Sequence, residues 1–245
     1  MVQLTGRPQG SDPVDTAQAV RAGASALGHR PAVTVLHAFA RYEQSGASLA
    51  NWAAKGAHLL ELDHFIGPGS RVGLLAPPCW TTASVALASW WLGAAVVLDA
   101  PGEVTVVNGD TPAQHDTSAA PPPRWPDADP MLVVGDGLDG APLGADAQPA
   151  WTRQAQPLPD HPPVAQAGAD LLALVVGERH WTQGELLALV RDLGHGTAGV
   201  DAAETEPAIA LAATALRPLV TGEPTVVLRG VDRAAAAQER VSVWL

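Results

Sequence analysis

Residues 71–98 constrain the fold more than any other part of the chain. Arg71-Val72-Gly73-Leu74-Leu75-Ala76 is a short apolar run, Pro77-Pro78 turns the chain, Trp80 to Leu92 reads as a helix, and Ala94 to Leu98 is a second apolar run. Each run is bounded by turn residues and reads as a buried strand. Strand, helix and strand joined by short connections imply a right-handed parallel crossover. The chain is therefore expected to build an α/β fold of layered, mostly parallel sheets covered by helices. The apolar stretch from Ala83 to Leu98 is broken by Ser84, Ser89 and Gly93 and is shorter than the roughly 20 residues of a membrane span, so no span is expected.

Upstream, Ser11 or Asp12 is the expected cap of a helix in which Val14, Ala17, Val20, Ala24 and Leu27 recur at helical spacing, ending near Gly28. Ala32 to Phe39 reads as a strand. Ser48 is then the expected cap of a helix whose stripe is Leu49, Trp52, Ala53, Gly56, Leu59 and Leu60, stopped by Gly67-Pro68-Gly69. Between Pro101 and Pro163 lie 13 of the 22 prolines, which implies stiff loops around two short strands, Val104 to Val107 and Met131 to Val134. From Leu171 the rhythm resumes, with strands at Leu171 to Val176, Thr225 to Leu228 and Val241 to Leu245. Helices are expected at Thr182 to Leu193, Pro207 to Val220 and Val231 to Arg240. The reading divides the chain into an N-terminal α/β lobe, 1–110, a Pro-rich connecting region, 111–170, and a second α/β lobe, 171–245.

Composition removes several functional classes. A chain of 245 residues can bury a core without staples, and 47% apolar against 16% charged residues excludes disorder throughout. The net charge of −11, with no basic tract, argues against a nucleic-acid surface. The single cysteine, Cys79, cannot form an intramolecular disulfide, and the N-terminal stretch has no apolar signal core, so a cytoplasmic location is expected. Lys55 is the only lysine, which leaves lysine chemistry one place to occur.

Three segments resemble a known family in order and spacing. Ser48-Leu49-Ala50-Asn51-Trp52 to Leu60, then Gly67-Pro68-Gly69-Ser70-Arg71-Val72-Gly73-Leu74-Leu75-Ala76-Pro77, then Leu87 to Leu98 are similar to the N-terminal part of adenylate-forming enzymes. These are the acyl-CoA synthetases, luciferases and peptide-synthetase adenylation domains, where a "ytyaeL" helix leads into "GvgpGDrValllpN", a helix and "GAvvvpl". Leu216-Arg217-Pro218-Leu219-Val220-Thr221-Gly222 followed by Thr225 to Leu228 is similar to the helix–strand unit that follows the nucleotide loop in the same family. The chain looks like a short AMP-binding-like protein truncated before the second half of the large domain, with two lobes and without the family's C-terminal domain.

The resemblance implies a phosphate loop of the form T-S-G-[ST]-T-G-x-P-K between the strand ending at Val176 and the helix starting near Thr182. The chain has Gly177-Glu178-Arg179-His180-Trp181 there. No glycine-rich nest with a lysine is expected at that place, and Glu178 would repel a triphosphate. The family's "YGxTE" and "sGD" motifs have no counterpart, and Lys55 lies far from the position of the adenylation lysine. The expectation is a catalytically incomplete, non-adenylating relative with a binding or protein-association role, no catalytic residue, no metal and no cofactor. The alternative is an enzyme, or a nucleotide- or acyl-binding protein, with a repurposed or partner-completed site. Glu178, Arg179, His180 and Trp181 are the candidate ligand contacts.

Other segments carry residues with possible chemistry. Gly135-Asp136-Gly137-Leu138-Asp139-Gly140 satisfies G-x-G-x-x-G after an apolar strand, but two acids in the loop and Pro142 after it favour a turn over a phosphate site. His58, Glu61 and His64 fall at i, i+3 and i+6, where two can share a helix face, although Asp63 makes the segment read as a solvated end. Cys79 precedes a helix, where a dipole can activate a thiol, yet no His/Asn partner is identifiable, and a buried thiol is the expectation. Of the eight tryptophans, Trp90 and Trp91 point about 100° apart on a helix. Both are expected in the core or lining a pocket, with an exposed tryptophan surface at a homodimer contact as the competing reading. No G-x-S-x-G elbow occurs.

Overall fold

The computed structural model describes residues 12–38, 40–109, 131–135, 139–140 and 150–245. In chain order, α1 is Thr16–Leu27, β1 Pro31–His37, β2 Arg41–Ser45, α2 Gly46–His64, β3 Arg71–Leu75, α3 Trp80–Trp91, β4 Ala95–Val97, β5 Val104–Asn108 and β6 Met131–Val134. They are followed by α4 Trp151–Ala155, β7 Leu172–Val176, β8 Arg179–Thr182, α5 Gln183–Asp192, β9 Ala198–Asp201, α6 Pro207–Ala215, α7 Arg217–Thr221, β10 Thr225–Arg229 and β11 Val243–Trp244. A 3-10 turn at Arg233–Glu239 stands where a helix to Arg240 was expected.

The described strands form two sheets, ordered β11-β9-β10-β1-β2 and β6-β5-β3-β4-β7-β8. Among them every pairing is parallel except the two edge hairpins, β1 with β2 and β7 with β8. This is the layered, mostly parallel α/β architecture expected from residues 71–98. Each sheet draws strands from both ends of the chain: β1 pairs with β10, and β4 pairs with β7.

Helix boundaries follow capping chemistry, and two caps differ from expectation. α1 is capped by Asp15, whose Oδ1 accepts the Gln18 amide at 2.8 Å, rather than by Ser11 or Asp12. α2 is capped by Ser45, whose hydroxyl accepts the Ser48 amide at 3.1 Å, so Ser48 is the recipient in the first turn and not the cap. The helix expected over Pro207 to Val220 is two helices, divided at Leu216 just before Pro218, whose missing N–H cannot continue the ladder.

All twelve residues of α3 are buried, and it packs on α1, α2 and α6. Its polar groups are satisfied locally, since Ser84 and Ser89 donate to the carbonyls of Thr81 and Val85. One buried side chain ties three helices together. Gln183, fully buried at the start of α5, donates to the Trp90 carbonyl at 2.9 Å, while its own carbonyl oxygen accepts the Thr16 hydroxyl at 2.8 Å and the Thr16 amide at 3.2 Å. Trp90 donates its indole N–H to the Ala173 carbonyl of β7 at 2.7 Å, locking α3 to its sheet. Trp90 and Trp91 are 0% and 3% exposed, so Trp91 is a core residue rather than an exposed contact. Among the described residues no helix is long and apolar enough to cross a membrane.

Candidate functional site

The segment singled out in the sequence is a tight hairpin. β7 and β8 pair from Leu172–Thr182 to Val176–Arg179, with a register shift between Leu172 and Leu174, which leaves only Gly177 and Glu178 as the connection. Gly177 takes φ 59°, the positive value required at the first central position of such a two-residue turn. Its amide donates to Asp99 Oδ2 at 2.6 Å. That carboxylate thus holds an N–H that an anion-binding nest would need free. Thr182 closes the hairpin by capping α5 in a reciprocal box: its hydroxyl accepts the Glu185 amide and its amide donates to Glu185 Oε2. The hydrogen bonds from Thr182 hold the Glu185 carboxyl below its ordinary pKa.

Strand alternation separates the four candidate residues. Arg179 and Trp181 share one face, with the guanidinium 4.7 Å from the indole centroid and 3.4 Å from Glu206 Oε1. The arginine side chain is 63% exposed, so this ion pair contributes little to stability. His180 lies on the opposite face and is exposed, as is Glu178 in the turn. The structure therefore brings Arg179 and Trp181 together but does not aim His180 at the same ligand.

Beside the hairpin lies a cavity of about 380 Å³ that sequence reasoning did not single out. One wall is the carboxyl end of β3 and the turn after it, Leu74 to Pro78, with Leu98 after β4 and Asn108 closing β5. The other wall is the β9–α6 connection, with Ala202, Thr205, Pro207, Ala210 and Leu211. Ligand crevices in parallel sheets lie outside the carboxyl ends of strands, and that rule was the available signal. Thr205 has its hydroxyl committed, donating to the Leu245 carbonyl at 2.9 Å and accepting the Asp201 amide at 3.1 Å. Asp99, Asp201, Glu204 and Glu206 each sit next to a lining position in sequence, and no basic residue does. Arg179 and Arg233 answer two of these acids, Glu206 and Glu204. The surroundings are apolar inside and acidic outside, which disfavours a polyphosphate.

Lys55 is engaged: its ammonium pairs with Asp160 at 2.8 Å and donates to the carbonyls of Gln156 and Leu158, fastening that segment to α2. His58 Nε2 lies 2.9 Å from the His161 carbonyl and Glu61 accepts from Gln166, so the helical His58, Glu61 and His64 set does not converge. Among the described residues no group of three or more His, Cys, Asp or Glu side chains is placed to hold a metal ion. Cys79 is 4% exposed at the start of α3, its sulfur 2.8 Å from the Thr81 hydroxyl. Of the G-x-G-x-x-G motif, Gly135, Asp139 and Gly140 are described. The Gly135 amide donates to the Gly140 carbonyl at 3.1 Å, and residues 136–138 lie outside the described residues.

No family model matches the chain. Over 77 residues it is 44% identical to the TIGR03089 family protein of Mycobacterium tuberculosis, a match covering 31% of this chain and 32% of that protein. Among solved structures it resembles the N-terminal domain of FACL13 from Mycobacterium tuberculosis, with a TM-score of 0.66 and 14% identity over 94% of this chain and 62% of that one. It also resembles the anthranilate CoA ligase AuaEII, solved with anthranoyl-AMP, with a TM-score of 0.67 and 11% identity over 95% of this chain and 50% of that one. The nonribosomal peptide synthetase FmoA3, solved with AMPPNP, gives 0.64 and 15% over 99% of this chain and 26% of that one. The fold is that of the N-terminal domain of adenylate-forming enzymes, as the three sequence segments implied. The chain spans well under two thirds of the curated relative and from about a quarter to just under two thirds of these structures.

Proposed function

We propose that the chain is a non-adenylating relative of the acyl-CoA synthetases, serving to bind a ligand or a protein partner rather than to activate a carboxylate. The observation that carries this reading is the Gly177-Glu178 turn, which occupies the place where the family resemblance requires a phosphate loop. Acyl adenylation needs donors and metal that neutralise charge spreading over the phosphates, commonly several kcal/mol of stabilisation. A two-residue turn with a glutamate, one amide held by Asp99 and an acidic cavity flank offers the opposite electrostatics. The test is pyrophosphate release from magnesium–ATP with a panel of carboxylic acids. Release at the background rate is expected, and robust carboxylate-dependent turnover refutes the proposal.

A second reading is favoured by the cavity at the carboxyl ends of β3 and β5, whose volume falls within the range of about 300–1,000 Å³ usual for ligand pockets. On this reading the chain binds an acyl group or nucleotide at a repurposed or partner-completed site. Its mostly apolar lining favours the acyl group. A ligand present at about 100 times its Kd stabilises by about 2.7 kcal/mol, so acyl-CoA thioesters that raise the melting temperature where ATP and AMP do not would support it.

The same reading places the protein in the cytoplasm, on its single cysteine, and retains a homodimer. With Trp91 in the core, the large apolar residues left exposed among the described residues are Val14, Leu62, Phe65 and Val164, and light scattering that gives a monomer mass removes the dimer.

A further inference from the structure

We propose, building on the reading of the cavity beside the hairpin as a site for an apolar chain, that the chain it takes ends in a cationic head, as an alkyl amine does, and that the same chain ending in a carboxylate is disfavoured. The interior decides where the head has to sit. Every lining residue named for this cavity of about 380 Å³ is apolar except Asn108 and Thr205. The Thr205 hydroxyl already donates to the Leu245 carbonyl, and Asn108 is engaged as well. A ligand segment seated among Leu74, Leu98 and Leu211 therefore gains from burial and meets no unengaged side-chain donor. Its polar end stays at the rim.

The rim carries uncompensated negative charge. Of the four acids next to lining positions, Glu206 is answered by Arg179 at 3.4 Å and Glu204 by Arg233 at 3.2 Å. Asp99 and Asp201 have backbone amides only: Asp99 Oδ2 accepts from Gly177 at 2.6 Å and Asp201 Oδ1 from Ala203 at 3.0 Å. Among the described residues no cation pairs with either. The two come from different sheets. Asp99 follows Leu98 after β4, and Asp201 ends β9 in the turn that carries Ala202 and Thr205, where Thr205 is bonded to both the amide and the carbonyl of Asp201. Helix ends supply the opposing field, because α3 begins just after Pro77-Pro78 and α6 begins at Pro207. A helix N-terminus carries roughly half a positive charge, and Glu206, which accepts the Ala208 amide, neutralises that of α6. The half charge of α3 then stands against two full carboxylates, so the balance at the rim favours a cation. An ester or thioester head, uncharged at that level, falls between the amine and the acid.

The test is calorimetric titration of the full chain with octylamine, octanol and octanoate at neutral pH, where the amine is protonated and the acid ionised. Octylamine should bind at least about tenfold more tightly than octanoate, with octanol between them and the gap narrowing as salt is added. Asp99→Asn combined with Asp201→Asn keeps both acceptors for the backbone amides and should bring the three affinities together. Leu211→Trp, which fills the cavity, should abolish binding of all three with circular dichroism unchanged. Octanoate bound as tightly as octylamine, or a preference for the amine that survives both asparagines, overturns the cationic head and leaves the apolar-chain reading standing. Amine binding that a folded Leu211→Trp variant retains places the amine elsewhere and overturns the proposal equally. Failure of all three probes to bind removes the apolar-chain reading, and the cationic head with it.

Discussion

Replacing Gly177 by alanine tests whether residues 177–178 are a tight turn or an open loop. At φ 59° a Cβ introduces local steric strain of about 1–2 kcal/mol. The new methyl meets no obstacle, since its nearest neighbour is Asp99 Oδ2 at 3.7 Å, an ordinary contact. The substitution also stiffens the unfolded chain, which returns roughly 0.4–1 kcal/mol. The net expected loss is about 1 kcal/mol, or roughly 2–4 °C in melting temperature for a chain of this size. Gly177→Asn should lose a similar amount, because with Glu178 outside the positive-φ region the turn is of the type that takes glycine at its first position. Urea denaturation of the three proteins measures both effects as shifts in midpoint at constant slope. An alanine variant as stable as the parent, or more stable, would mean that residue 177 sits at negative φ. The tight-turn argument would then fail.

Gln183→Leu should destabilise the fold by roughly 2–3 kcal/mol, because it strands the Thr16 amide and hydroxyl in the core and leaves the Trp90 carbonyl with the Gly93 amide alone; a loss under about 0.5 kcal/mol by urea titration would contradict the network. His64 supplies a pH signature. Burial lowers its pKa from the ordinary 6.5 against the opposing pull of Asp63, and its Nε2 is buried without a partner. The unfolded chain therefore takes up a proton before the folded one does. The neutral imidazole's contribution is complete above pH about 6.5 and drains away as pH falls toward the depressed folded value. Across that interval the parent should lose stability faster than His64→Gln, and parallel urea midpoints for the two proteins would contradict the burial argument. Glu185 acts lower on the scale. Its depressed carboxyl contributes above the ordinary carboxylate pKa of 4.5, and that contribution is lost as pH falls through the folded value, so Glu185→Gln should differ most from the parent at neutral pH and converge on it in acid.

What was legible in the sequence was what burial writes into it. The apolar runs that became β3, β4, β5, β6, β7 and β10 lie within a residue or two of their expected places, because parallel strands buried by helices must be apolar along their length. The edge strands β2 and β8, Arg41-Tyr42-Glu43-Gln44-Ser45 and Arg179-His180-Trp181-Thr182, carry no such record. They are held by backbone bonds to one neighbour and need no apolar face. That blind spot matters for the site. Reading Gly177 to Trp181 as a loop concealed a hairpin in which Arg179 and His180 face opposite ways. The cavity was also invisible, because its walls come from residues as distant as Leu74 and Leu211. Only topology brings such pairs together. The absence of lysine and clustered glycine at 177–181 was legible, since it is a statement about residues and not about contacts.

Calorimetric titration of magnesium–ATP into the protein tests the central claim most directly. The account predicts no saturable heat at millimolar nucleotide, because Gly177 and Glu178 offer a turn and a carboxylate where phosphates would have to be held. Micromolar, magnesium-dependent binding that disappears when Gly177 or Glu178 is substituted would show that this hairpin grips phosphate after all, and the account would be wrong.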